Sequence, residues 1–122
     1  MKNVKKENVI LMKSKDLALR MIRLYRYLSG EKGEFVLSKQ VMRSGTSIGA
    51  NCKEAVVAQS KADFNSKLSI ALKEANETEY WLELLHESGY IDDSSFQSVY
   101  DENKEIIKLL VSILKSSRRT TV

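Results

Sequence analysis

Proline is absent from the 122 residues and glycine occurs only five times. Few positions therefore break a helix, whereas a chain of many short strands would need far more turn residues. Long helices are expected. Cysteine and histidine occur once each. A single cysteine makes no intramolecular disulfide, and one cysteine with one histidine cannot furnish a four-ligand zinc site without carboxylates. A reducing cytoplasm is the expected compartment. Long apolar runs are also missing. The run Val9 to Met12 is too short for a signal-peptide core, and the window Ile106 to Leu114 is broken by Lys108 and Ser112 and cannot span a bilayer. No membrane association is expected.

What remains is 43% hydrophobic and 30% charged, the composition of a soluble globular protein, and the length fits one domain over residues 1–122. Leu17, Met21, Leu24 and Leu28 alternate spacings of four and three, which keeps one helical face buried, and Ile10 extends the line backwards. The first helix stops at Ser29 and Gly30, and the hexapeptide Ser29 to Glu34 reads as a short connection. Ser38 is the expected N-cap of a second helix whose buried line is Val41, Gly45, Ile48, Cys52 and Ala55. Ser60 to Asp63 resembles a capping box for a third, with Phe64, Leu68, Ala71, Ala75, Thr78, Leu82 and Leu85 inward and Gly89 as C-cap. Asp92 can cap a fourth, with Phe96, Val99, Asn103, Ile106, Leu110 and Ile113 on its line. Four such helices with short links predict an all-α, antiparallel up-down-up-down bundle. The lysine-rich start, about residues 1–10, and the end, about 117–122, read as a basic frayed arm and tail.

Apolar residues also lie off these lines. Ile70, Trp81 and Leu84 form a flank of the third helix, and Leu11, Ala18, Ile22 and Tyr25 a flank of the first. Trp and Tyr on a flank suit an interface between copies, because they bury much area and keep a polar tip. The alternative is a squat bundle with wide apolar faces. The second helix carries another stripe, Gln40, Ser44, Ser47, Asn51, Glu54 and Ala58, and Gly45 with Gly49 permits close approach of a further helix. Asn51 and Glu54 could fix register at such a contact, or the stripe is an ordinary solvated face.

Charge is distributed unevenly. Residues 1–30 carry a balance of +6 and residues 61–90 a balance of −3. Antiparallel threading brings the start of helix one, the end of helix two, the start of helix three and the end of helix four to one pole. Lys5, Lys6, Lys13, Lys15, Lys61, Lys115, Arg118 and Arg119 are the candidate contacts to RNA or DNA there. No helix-turn-helix, RNP motif or zinc finger is present, so contact would be to backbone phosphate. Lysines and arginines on tails also serve solubility alone, and a net charge of +4 is modest.

Catalytic signatures are wanting. Glu83 and His86 make one Glu-x-x-His unit where a dimetal bundle uses two, so no metal, cofactor or catalytic residue is assigned. Cys52 on an apolar line reads as a small buried residue. There is no Walker loop, G-x-S-x-G or G-x-G-x-x-G.

The stretch from Arg43 through Ser44, Gly45, Thr46, Ser47, Ile48, Gly49, Ala50, Asn51, Cys52, Lys53 and Glu54 to Ala55 is followed by two others. These are Ile70 to Ala75 and Glu77 to Leu82. Together they resemble the bacterial four-helix bundle proteins encoded in intervening sequences of 23S ribosomal RNA genes. The likeness runs from about Leu17 to Leu114. Arg43, Ser47, Asn51 and Glu54 match the family's Arg, Ser, Asn and Glu, while Cys52 and Ala55 replace the Ile and Gly common in relatives. The resemblance implies an antiparallel bundle, commonly a ring-shaped homopentamer. Related proteins are accessory factors of diversity-generating retroelements, in which a basic pentameric bundle binds nucleic acid and a reverse transcriptase. The family name describes gene location rather than an activity.

Overall fold

The computed structural model describes residues 4–119, and those parts of the expected arm and tail that fall on residues 1–3 and 120–122 lie outside them. Four helices result: α1 (Val4–Gly30), α2 (Leu37–Val56), α3 (Lys61–Glu87) and α4 (Asp93–Arg119). Each packs against its neighbours in sequence and α1 closes on α4, while the backbones of neither diagonal pair come close among the described residues. That is an antiparallel up-down-up-down bundle. Where a frayed arm over about 1–10 and a tail over about 117–122 were expected, residues 4–10 and 117–119 are helical. The cause is burial at both ends. Ile10 is 1% exposed, Glu7 is also buried, and Ser117 Oγ donates 2.6 Å to Asn65 Oδ1 of α3. No described helix is long and apolar enough to cross a membrane.

Helix ends follow local chemistry, with one departure from expectation. Ser60 caps α3 by accepting from Asp63 N at 3.0 Å. Gly89, at φ +85°, ends α3 in the left-handed conformation that glycine adopts without strain. Gly89 N then donates to His86 O and Tyr90 N to Leu85 O, the paired bonds of a Schellman cap. Asp92 caps α4 through Ser95 N at 2.7 Å. At α2 the expected cap, Ser38, lies inside the helix and its hydroxyl donates back to Glu34 O. The capping group is the Glu34 carboxylate, which accepts from the amides of Val36, Leu37 and Ser38 at 3.1, 2.9 and 2.7 Å. A carboxylate reaching three otherwise orphaned amides outcompetes one short hydroxyl.

Apolar periodicity accounts for the core. All seven residues on the expected line of α3 are its buried residues. Val41, Gly45, Ile48, Cys52 and Ala55 are buried in α2, joined by Ser38 and Ser44. Leu24 and Phe96, expected inside, are half-buried at the core's margin. Each fully buried aliphatic side chain contributes about 1.5–3 kcal/mol relative to exposure. Asn103, in the centre of α4 and fully buried, donates through Nδ2 to Ala75 O at 2.9 Å, while its Oδ1 has no partner among the described residues.

Gly45 and Gly49 serve the α1 contact within the chain rather than an approach by a further helix. A Cβ on Gly45 would fall on Met21 Cγ, and one on Gly49 would lie 3.2 Å from Ser14 Oγ. Both glycines therefore set the distance between α1 and α2.

Candidate functional site

The cationic residues singled out in the sequence divide into three groups. Lys5, Lys61, Lys115, Arg118 and Arg119 are exposed on the first or last turns of their helices, at the pole where α1 begins and α4 ends. Lys6 and Lys13 instead face α4. Lys6 Nζ bonds Ser112 Oγ at 2.6 Å, and Lys13 Nζ meets Glu105 Oε2 at 3.0 Å. One heptad on, Arg20 bonds Glu102 and Ser98, each at 2.8 Å. Lys6, Lys13 and Arg20 thus step up α1 in sevens while Ser112, Glu105 and Ser98 step down α4 in sevens, a polar ladder along the α1/α4 seam. Lys15 belongs to neither group and lies beside α2.

The seams on α3 are also closed by charge pairs. Arg43 of α2 meets Glu74 at 3.4 Å and also pairs with Glu77, and Glu54 meets Lys67 at 3.6 Å. The matched residues Arg43, Ser47, Asn51 and Glu54 therefore line the α2/α3 seam. Ser47 Oγ donates to Arg43 O and Asn51 Nδ2 to Ser47 O, both within α2, so Asn51 and Glu54 bond different partners. Ser44, read as part of the same stripe, is buried and accepts from Thr78 Oγ1 at 2.8 Å. On the outer side of this seam Ile70 is 40% exposed, and Trp81 is half-buried with Nε1 donating 2.9 Å to Glu77. Leu84 is half-buried too. Across α3/α4, Lys104 pairs with Glu79 at 2.6 Å, and that bond holds its ammonium above the ordinary lysine value.

The α1/α2 seam is different. A groove of about 290 Å³ opens along it. Leu11 and Ala18 of α1 and Gly49 and Ala50 of α2 form its small apolar floor, with Ser14 and Thr46 beside them. Lys15 and Lys53 stand on opposite rims. Neither lysine has an ionic or hydrogen-bonding partner among the described residues. The helix-one flank Leu11 and Ala18 read from the sequence is this wall, so part of that surplus apolar surface is seam. The groove itself was missed, because it needs Lys15 and Lys53, far apart in sequence, to be seen as neighbours.

The residues with reactive potential are occupied otherwise. Cys52 is fully buried, and burial, opposed only by the Ser14 hydroxyl, pushes its thiol up to about 12. That thiol stays protonated at neutral pH and is a poor nucleophile. His86 Nε2 lies 2.6 Å from Asp93 Oδ1, and its ring stacks on Phe96 at 4.1 Å between centroids. Among the described residues no three His, Cys, Asp or Glu side chains converge as metal ligands.

No curated protein matches the chain. A solved structure does: a protein of unknown function from the S23 ribosomal protein family of Bacteroides thetaiotaomicron, 57% identical, with a TM-score of 0.89. The match covers 90% of this chain and 98% of that one. Neither its description nor that of the matching family names an enzyme activity. The profile of the family described as 23S rRNA-intervening sequence protein matches residues 6–112, and the chain belongs to that family.

Proposed function

We propose that this chain is a non-enzymatic, self-associating four-helix bundle that binds RNA or DNA through backbone phosphates at its basic pole. The observation that carries the reading is the gathering of Lys5, Lys61, Lys115, Arg118 and Arg119, all exposed, where α1 starts and α4 ends. Each phosphate neutralised there releases counterions, and a cyclic oligomer, such as a homopentamer, would collect its basic poles on one face. Filter binding to generic single-stranded RNA across a salt series tests it. Affinity at low salt with a log–log slope of about −0.7 per phosphate contacted supports the reading. Absence of binding, or binding indifferent to salt, overturns it.

A second reading, an assembly acting only through protein contacts with itself, a reverse transcriptase or another protein, draws on exposed apolar surface. Met12 is 58% exposed, Leu19 46% and Tyr80 54%. Sedimentation at micromolar concentration distinguishes an oligomer from a monomer. Trp81→Glu should dissociate the oligomer if the flank with Ile70 and Leu84 is the contact.

A further inference from the structure

Three of the four helix seams neutralise their own charge. Across α1/α4, Lys13 and Arg20 meet Glu105 and Glu102. Across α2/α3, Arg43 and Lys67 meet glutamates. Across α3/α4, Lys104 meets Glu79. The α1/α2 seam alone presents charge of one sign: Lys15 and Lys53 rim the groove, and no acid lines it. The nearest acid along α1 toward the pole, Glu7, is turned inward and only 8% exposed. Glu54, adjacent to Lys53, is engaged by Lys67 across the other seam. Two unpartnered ammonium groups over an apolar floor leave an uncompensated positive potential, which an external anion would neutralise.

The shape narrows the anion. From Leu11 to Ala18 the groove runs about 10 Å at 1.5 Å per residue. Its 290 Å³ falls just short of the range of about 300–1,000 Å³ for drug-sized sites. This is room for one nucleotide and too short for the length of a partner helix. Small residues at the floor, Ala18 and Ala50, leave room against which a planar base can lie, and the half-buried Thr46 hydroxyl beside it can meet a base or sugar edge.

We propose that the α1/α2 groove is a nucleotide subsite, with a phosphate bridging Lys15 and Lys53 and the attached base lying over Ala18 and Ala50. The proposal rests on the nucleic-acid reading and extends it from the pole onto the side of the bundle. It implies a preference for single strands, because a base paired in a duplex cannot turn into the groove.

The full-length protein tests this with two probes, a twelve-residue oligouridylate and uridine 5′-monophosphate. Lys15→Gln with Lys53→Gln should weaken oligouridylate binding about tenfold and lower the salt slope by about 0.7, the loss of one phosphate contact. Ala50→Leu, at an exposed position, fills the floor without altering charge and should abolish amide shifts at Gly49 and Ala50 on addition of the monophosphate. If Lys15→Gln with Lys53→Gln binds as wild type does while Lys115→Gln with Arg119→Gln weakens binding, the groove proposal is overturned and the pole reading stands. If wild type binds no oligouridylate, the pole reading is overturned. The groove is then decided by the monophosphate: shifts at Gly49 and Ala50 keep it and silence there overturns it. Shifts at these amides that follow protein concentration rather than nucleotide would place a second copy in the groove, which also overturns the proposal.

Discussion

Helix α1 touches two neighbours and is held to each by different physics. Against α2 the backbones come close because Gly45 and Gly49 carry no Cβ, and Met21 and Ser14 fill the space. Against α4 the contact is a ladder of long polar side chains, Lys6 to Ser112, Lys13 to Glu105 and Arg20 to Glu102 and Ser98. The first seam depends on sterics at buried positions, where a change of one methyl group is felt. The second depends on partly exposed charges, which water and salt weaken. One helix therefore has a rigid side and a compliant side, and substitutions on the two sides should differ in size and in salt response.

The largest effect is expected at Gly45. Gly45→Val places a branched side chain where Met21 Cγ already lies. Overpacking costs about 1–3 kcal/mol, and more where the neighbour cannot yield. Met21 is fully buried, so it has little room to move. Gly45→Ala should be milder, because its single Cβ still falls on Met21 Cγ but adds one carbon rather than three, and alanine recovers about 1 kcal/mol of helix propensity over glycine. Urea unfolding of both variants measures the difference. A Gly45→Val protein as stable as wild type would show that α1 and α2 can separate freely.

The next effect is at the start of α2. Burial tends to raise the Glu34 carboxyl, but the amides of Leu37, Ser38 and Val36 outweigh it and hold the group below the ordinary carboxylate value. The sign follows from linkage: a depressed folded-state value gives stability that is present above the unfolded value, near pH 4.3, and is lost as pH falls through the folded one. Glu34→Ala removes the cap and should cost about 0.5–2 kcal/mol at pH 7. That cost should shrink between about pH 4.3 and more acidic conditions. A cost that is flat from pH 7 to pH 3 would assign the loss to packing instead.

Much of this architecture could be read from spacing, and the exceptions have identifiable causes. The seven buried residues of α3 fall on one heptad line because an apolar period directly encodes a buried face. Ser38 looks like a cap because sequence shows which residues can cap but not whether Glu34, four positions earlier, reaches the same amides first. Ser44 looked like solvated stripe because its hydroxyl is polar, yet Thr78 supplies a buried partner from a helix 34 residues away in sequence. Antiparallel threading puts Lys6 and Lys13 toward the pole but does not show that their side chains turn to Ser112 and Glu105 of α4. Their spacing of seven, repeated by Arg20 and matched by Ser98, Glu105 and Ser112, was the available signal for the ladder. Lys15 stands among the cationic candidates of the sequence, but its place opposite Lys53 does not, since an unpartnered lysine is defined by the absence of neighbours that only the fold supplies.

The smallest effect is the one that most sharpens the contrast between α1's two sides. Lys13 and Glu105 meet at 3.0 Å with side chains 37% and 62% exposed. Pairs so exposed are worth about 0.2–1 kcal/mol. A double-mutant cycle on Lys13→Ala and Glu105→Ala should return a coupling in that range at low ionic strength. At 1 M salt the Debye length falls to about 3 Å, comparable to the pair's own separation, and the coupling should approach zero. The cost of Gly45→Val should persist under the same conditions, because steric overlap is not screened. If the two respond to salt alike, the ladder is held by packing of its aliphatic stems, and the α1/α4 seam is as rigid as the glycine seam.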